Sequence, residues 1–261
     1  MTDTHPAMTY GSYLALDEIL GAQRTRSDEH DEMLFIVIHQ VYELWFKQLL
    51  HELVALQRWL ADGRTPQVLH TLRRVLTILK VVVAQIDVLE TMTPRQFTSF
   101  RARLDASSGF QSAQFRELEA VLGRRDSRVF RHYPAGAARE RISAAMSRPS
   151  LFDSFLRYLA VSGYDVPADA LDRDVREPVA EVPGVRAVLL AVYADDGNAA
   201  QVAERLVDLD EGVQEWRYRH VKMVERTIGD KSGTGGSSGA AYLRTTISPA
   251  FPDLWAIRSE L

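Results

Sequence analysis

Ile38-His39-Gln40-Val41-Tyr42-Glu43-Leu44-Trp45-Phe46-Lys47 sets one titratable imidazole inside an apolar, aromatic run. Around it apolar residues recur at steps of three and four: Met33, Leu34, Val37, Val41, Leu44, Trp45, Leu49 and Leu53. That period marks the apolar face of an α-helix. No proline falls between Ala7 and Thr65, so the pattern predicts one long helix over 28–61, ended by Asp62-Gly63. Thr65-Pro66 and Thr93-Pro94 read as restarts, with threonine as N-cap and proline where a missing N–H is harmless. The first restart carries Leu76, Leu79, Val83 and Ile86 to about residue 90. Further helices fit 94–104, 110–122, 137–147, 150–161, 184–195 and 199–228, with Ser150 and Asp153 spaced as a capping box. No alternating strand pattern stands out, so the expected class is all-α. The main irregular stretches are 162–183 and 229–239.

The chain of 261 residues can bury a substantial core. Its formal net charge is −4, with 31 basic and 35 acidic residues interspersed, and no basic run offers a surface for nucleic acid. No apolar stretch reaches the roughly 18 residues of a membrane span, and residues 1–8 lack a signal-peptide pattern. A cytoplasmic protein with no membrane partner is expected. The absence of cysteine removes disulfides, thiolate nucleophiles, iron–sulfur clusters and thiolate-ligated or covalently attached haem. Metal chemistry must therefore use His, Asp, Glu, Tyr or Met, or a cofactor held noncovalently.

His39 has Phe35, Tyr42 and Glu43 within one helical turn. It fits either a core histidine satisfied by a carbonyl or by Glu43, or a pocket base working near neutral pH. The second candidate lies in Trp216-Arg217-Tyr218-Arg219-His220-Val221-Lys222-Met223. A neutral imidazole on such a face suits a metal ligand, haem iron in particular, and Arg217, Arg219 and Lys222 either face haem propionates or form the solvated side. That helix runs into Gly233-Thr234-Gly235-Gly236-Ser237-Ser238-Gly239, within a stretch from Gly229 that holds five of the fifteen glycines. It lacks the Gly-Lys-Ser/Thr ending of a nucleotide loop, leaving a linker or a lid over a polar ligand. Rival metal sites fail on spacing: none of the seven histidines has a glutamate three residues before it, and His51-Glu52 has no second histidine to complete a zinc helix. His5, His30, His51, His70 and His132 read as surface or edge residues.

Taken with Tyr10-Gly11-Ser12-Tyr13-Leu14, His30-Asp31-Glu32-Met33-Leu34-Phe35-Ile36, Phe100-Arg101, Ser107-Ser108-Gly109-Phe110-Gln111-Ser112 and Tyr242-Leu243-Arg244, these motifs cover most of the chain. The sequence resembles the tryptophan 2,3-dioxygenase family. The resemblance implies one helical domain over 1–261, with long core helices around a b-type haem, assembled as a homotetramer (a dimer of dimers). It implies ferrous haem as cofactor, O2 as co-substrate and L-tryptophan as substrate, with N-formylkynurenine as product. By the same resemblance His220 is the proximal iron ligand, and Ser108 and Gly109 lie against the haem. His39 is the distal histidine that meets the indole N–H. Arg101 clamps the substrate carboxylate, Thr234 helps hold its ammonium, and Phe35 walls the indole pocket. Tyr10, Tyr13 and Leu14, in a segment 1–20, reach a neighbouring subunit's pocket. Phe97 stands where some members carry a tyrosine that assists the arginine. A haem-dependent oxygenase of a modified tryptophan, and a noncatalytic haem- or tryptophan-binding helical protein, are the alternatives.

Overall fold

The computed structural model describes residues 7–104, 111–231 and 239–261. Its helices are α1 (Tyr10–Leu14), α2 (Leu16–Leu20), α3 (His30–Ala61), α4 (Thr65–Leu89), α5 (Pro94–Arg101), α6 (Ala113–Val121), α7 (Ala137–Met146), α8 (Leu151–Val161), α9 (Ala168–Leu171), α10 (Pro183–Asp195), α11 (Asn198–Ile228), α12 (Ala240–Arg244) and α13 (Pro252–Ala256). Among the described residues there is no strand, as the all-α expectation requires. None of the described helices is long and apolar enough to cross a membrane.

The local punctuation explains where the helices stop and start. Gly63, at φ +64°, turns the chain after α3. Its N–H donates to the Leu60 carbonyl at 3.1 Å and that of Arg64 to Trp59 at 2.9 Å, which is the pairing of a Schellman motif. The N–H groups of Gln67 and Val68 then both donate to the Arg64 carbonyl at 3.0 Å. Helix α4 therefore begins one residue earlier than the sequence suggested. Thr65 lies inside it, and its hydroxyl meets that of Tyr158 at 2.7 Å instead of capping. Thr93 does cap α5, exchanging bonds with Gln96, and Ser150 caps α8 by the same exchange with Asp153. The expected helix 110–122 is trimmed to α6 because Ser112 caps it, its hydroxyl accepting the Phe115 N–H at 3.1 Å. α5 likewise ends at Arg101, short of 104.

Helix α4 lies between the two longest helices, packing on α3 and on α11. Gly212 permits the close approach of α11: a Cβ there would fall 2.6 Å from Leu79 Cδ2. Helices α6 and α8 also pack on α3, and α10 and α12 on α11. One core cluster runs from Ile38 to Ile257, with a satellite around Val129, Tyr133 and Ile142. The buried face of α3 is Ile38, Tyr42, Phe46, Leu49, Leu53, Leu56 and Leu60. Met33, Val37 and Leu44, which the periodicity assigned to the apolar face, are exposed, Leu44 at 51%. Helix α3 carries apolar residues on two faces, and its neighbours in this chain cover only one.

Two buried carboxylates tie irregular segments to this frame. Asp210 on α11 accepts the backbone N–H groups of Ala250 and Phe251 and the indole N–H of Trp255, holding the C-terminal segment. Asp153 accepts from Arg173 at 2.6 and 2.9 Å, which fixes part of the irregular stretch after α8.

Candidate functional site

Helices α3, α4, α5, α6, α11 and α12 line a cavity of about 210 Å³. Two imidazoles far apart in sequence, His39 from α3 and His220 from α11, both line it. Each is half-buried, and each sits beside an aromatic ring. Phe35 stands 4.2 Å from His39, centre to centre. Phe35 packs in turn against Phe97 and the fully buried Phe100. Trp216 stacks on His220 at 5.3 Å with an interplanar angle of 13°, backed by Phe46 and Phe115. These two aromatic banks make the cavity a low-dielectric space.

The His39 ring is oriented by its own helix. Its Nδ1 lies 2.7 Å from the Phe35 carbonyl oxygen, which can only accept. Nδ1 therefore carries the proton, and in the neutral ring Nε2 is left as an acceptor. Burial lowers the His39 pKa from its ordinary value, opposed in part by that carbonyl and by Glu43. His220 is also pushed down, to about 4, first by burial and then by His39, Arg217 and Arg116. Both rings are neutral at pH 7. Neighbouring bonds keep α3 in register there: the Tyr42 hydroxyl donates to the Val82 carbonyl and the Gln85 amide to that of Ile38, both at 3.1 Å. Burial raises the Tyr42 phenol to about 12, so it stays protonated as a donor.

Among the described residues no group of three or more His, Asp or Glu side chains could hold a metal ion. The nitrogen donors here are instead two separate neutral imidazoles, each on its own aromatic wall. One such imidazole suits the axial position of an iron whose other ligands come from a macrocycle, so the residues present fit a haem. Arg101, the last residue of α5, brings a guanidinium to the same cavity, where a carboxylate is its natural complement.

The structure thus brings together Phe35, His39, Arg101 and His220. Tyr10, Tyr13 and Leu14 lie on α1, away from this cavity and exposed, the two tyrosines at 77% and 72%. Ser108, Gly109 and Thr234 fall outside the described residues, as does His5. His30, His51, His70 and His132 are exposed, as expected. Of the two readings of the α11 cations, the solvated side fits Arg219 and Lys222. Arg219 pairs with Asp87 at 2.5 Å and Glu90 at 3.3 Å on α4, and Lys222 pairs with Glu225 at 3.0 Å. Their charges are drawn to carboxylates beside them. Arg217 is buried against Glu119 of α6. Sequence reasoning gave no role to Trp216, Arg116 or Tyr242, all of which line the cavity. The position of Trp216 one turn before His220 and the Tyr242-Leu243-Arg244 motif were the available clues; Arg116 left none.

The family model for tryptophan 2,3-dioxygenase matches residues 2–160 and 180–261. A tryptophan 2,3-dioxygenase of Anaeromyxobacter sp. (strain K) is 66% identical over 266 residues, covering 98% of this chain and 97% of its own. One from Anaeromyxobacter dehalogenans (strain 2CP-C) is 67% identical over 259 residues, again 98% and 97%. One from Herpetosiphon aurantiacus is 56% identical over 257 residues, 98% and 99%. The stretch between the two matched segments lies in the irregular region after α8.

Proposed function

Since the chain belongs to the tryptophan 2,3-dioxygenase family, we infer that it opens the indole ring of L-tryptophan with O2, inserting both oxygen atoms to give N-formylkynurenine. The observation that carries the assignment of roles is the meeting of two neutral imidazoles and the Arg101 guanidinium in a single, largely aromatic-walled cavity. His220 would hold the iron of a b-type haem in its Fe(II) form, and when bound the haem supplies the redox chemistry that activates O2. The Nε2 of His39 accepts the indole N–H, orienting the ring without taking the proton away. Arg101 binds the carboxylate through its planar fork. Phe35 and Phe97 wall the indole and exclude water, which strengthens both polar contacts. Thr234 helps hold the ammonium, and Ser108 and Gly109 lie against the haem; these three roles rest on the family resemblance. Orientation is the protein's main contribution to rate.

The same reading makes the protein one domain over 1–261 and a homotetramer in which Tyr10, Tyr13 and Leu14 complete a neighbour's pocket. What supports it is the apolar surface that this chain leaves uncovered: those residues on α1, and Met33, Val37 and Leu44 on α3.

Reduced, haem-loaded protein given L-tryptophan and air should build the absorbance of N-formylkynurenine. With isotopically labelled O2 the product should carry two labelled atoms. A singly labelled product would make it a monooxygenase, and no consumption of tryptophan would leave only a binding protein. His220→Ala should lose the Soret band, whereas His39→Ala should keep it.

A further inference from the structure

One wall of the cavity is backed by an ion cluster for which the reaction above has no step. Glu119 of α6 is buried, and its carboxylate accepts from Arg116 at 2.5 Å and from Arg217 of α11. Both arginines are buried as well, and both line the cavity. A third guanidinium, Arg124, stands nearby and donates to the Thr246 carbonyl and, at 2.6 Å, to the Ser248 hydroxyl. Two further carboxylates border this region, Asp210 and Glu43. Asp210 holds the C-terminal segment, and Glu43 accepts from Gln114 at 2.8 Å.

Burying several ions is costly, and an apolar replacement of similar volume is often as stable. Stability therefore does not account for the cluster. Its physical effect is a field in a space that water screens poorly. The field reaches the imidazole at 220, because Arg217 lies three residues before it on α11 and borders the same cavity. Within the cluster one carboxylate is set between two guanidiniums, and removing any member changes the local charge by one.

We propose that the Arg116–Glu119–Arg217 cluster sets the redox poise of the iron held by His220, with Glu119 as the positioning residue that offsets the two guanidiniums. The proposal rests on the haem reading given above. Positive charge near the iron favours the state of lower charge, Fe(II), which is the state the reaction needs. Glu119 limits that bias and holds both arginines in place. It touches neither substrate nor iron in this role.

The test is a spectroelectrochemical titration of the Soret band in full-length, haem-loaded protein. Wild type is compared with Glu119→Gln, Arg116→Met and the double variant. Removing the carboxylate charge should raise the Fe(II)/Fe(III) ratio at the wild-type midpoint by about tenfold, and removing the Arg116 charge should lower it by about tenfold. For one electron that is about 59 mV in each direction. The double variant should return toward wild type. Opposite signs are the diagnostic, since loosened packing moves both single variants the same way. Shifts of one sign, or none, overturn the proposal. Should Glu119→Gln fail to take up haem, Arg116→Met decides alone: a fall supports the proposal, and a rise or no change overturns it. A wild-type protein with no Soret band after haem loading overturns the haem reading itself, which is a separate and recognisable outcome.

Discussion

Replacing His39 with alanine should remove one hydrogen bond to the substrate and leave the cofactor site intact. The bond in question is fixed by the tautomer. Because Nδ1 donates to the Phe35 carbonyl at 2.7 Å, only Nε2 is free to accept an indole N–H. Losing that acceptor leaves a donor unpaired in an enclosed cavity, at a cost of about 1–3 kcal/mol. The affinity for L-tryptophan should fall about five- to 150-fold. An alanine also leaves a void, so the bond is isolated with the analogue in which sulfur replaces the indole N–H. Dissociation constants of both ligands, measured on haem-loaded wild type and His39→Ala by difference spectra, close a cycle. The coupling should be about 1 kcal/mol or more in favour of the N–H. Equal losses for the two ligands would refute the assigned role. The pH dependence has a definite sign. Only the neutral ring accepts, and burial lowers the His39 pKa. Affinity should stay level as pH falls to the ordinary histidine value of 6.5 and decline only below it. In His39→Ala that acid limb should vanish.

Arg101→Lys should weaken L-tryptophan binding about tenfold, because a point charge replaces a two-pronged donor; tryptamine, which has no carboxylate, should bind both proteins alike. Asp210→Ala strands the N–H groups of Ala250 and Phe251 and the Trp255 indole N–H, so urea unfolding should show a loss of about 3–5 kcal/mol. A loss below about 1 kcal/mol would mean that the C-terminal segment is held by packing alone. Phe100→Ala empties a fully buried site against Phe35 and Phe97 and should cost about 3–5 kcal/mol in the same assay.

How much of the fold could be read in advance depended on how local each determinant was. Asp62-Gly63, Thr93-Pro94 and the Ser150–Asp153 pair act over three or four residues, and all three mark helix ends in the structure. Thr65 misled because the turn at Gly63 had already placed Arg64 as the helix cap. Helices α12 and α13 escaped notice for a different reason. They are too short to show a period, and α13 is held by Asp210, some forty positions earlier in the chain. The buried face of α3 was misjudged because apolar residues at steps of three and four describe two overlapping stripes. Only the positions of α4, α6 and α8 decide between them.

The site divides along the same line. His39 and His220 were visible because each is a polar group set against its own local pattern, an imidazole within an apolar aromatic turn. Glu119 was not, and Arg217 stood out only together with Arg219 and Lys222, since charges on an amphipathic helix are normally solvated and nothing local marks Glu119 or Arg217 as buried. Their partnership joins α6 to α11, and it becomes visible only when those helices are packed. Arg219 and Lys222 show the converse: the same local pattern as Arg217, yet both turn to carboxylates on the outer side. Of three cations within six positions of one helix, the one that shares a wall with the imidazole is selected by where a carboxylate on another helix waits for it. That argues for seeking the controls on a buried reaction centre in ion pairs that span elements, where sequence pattern is silent and the dielectric is low.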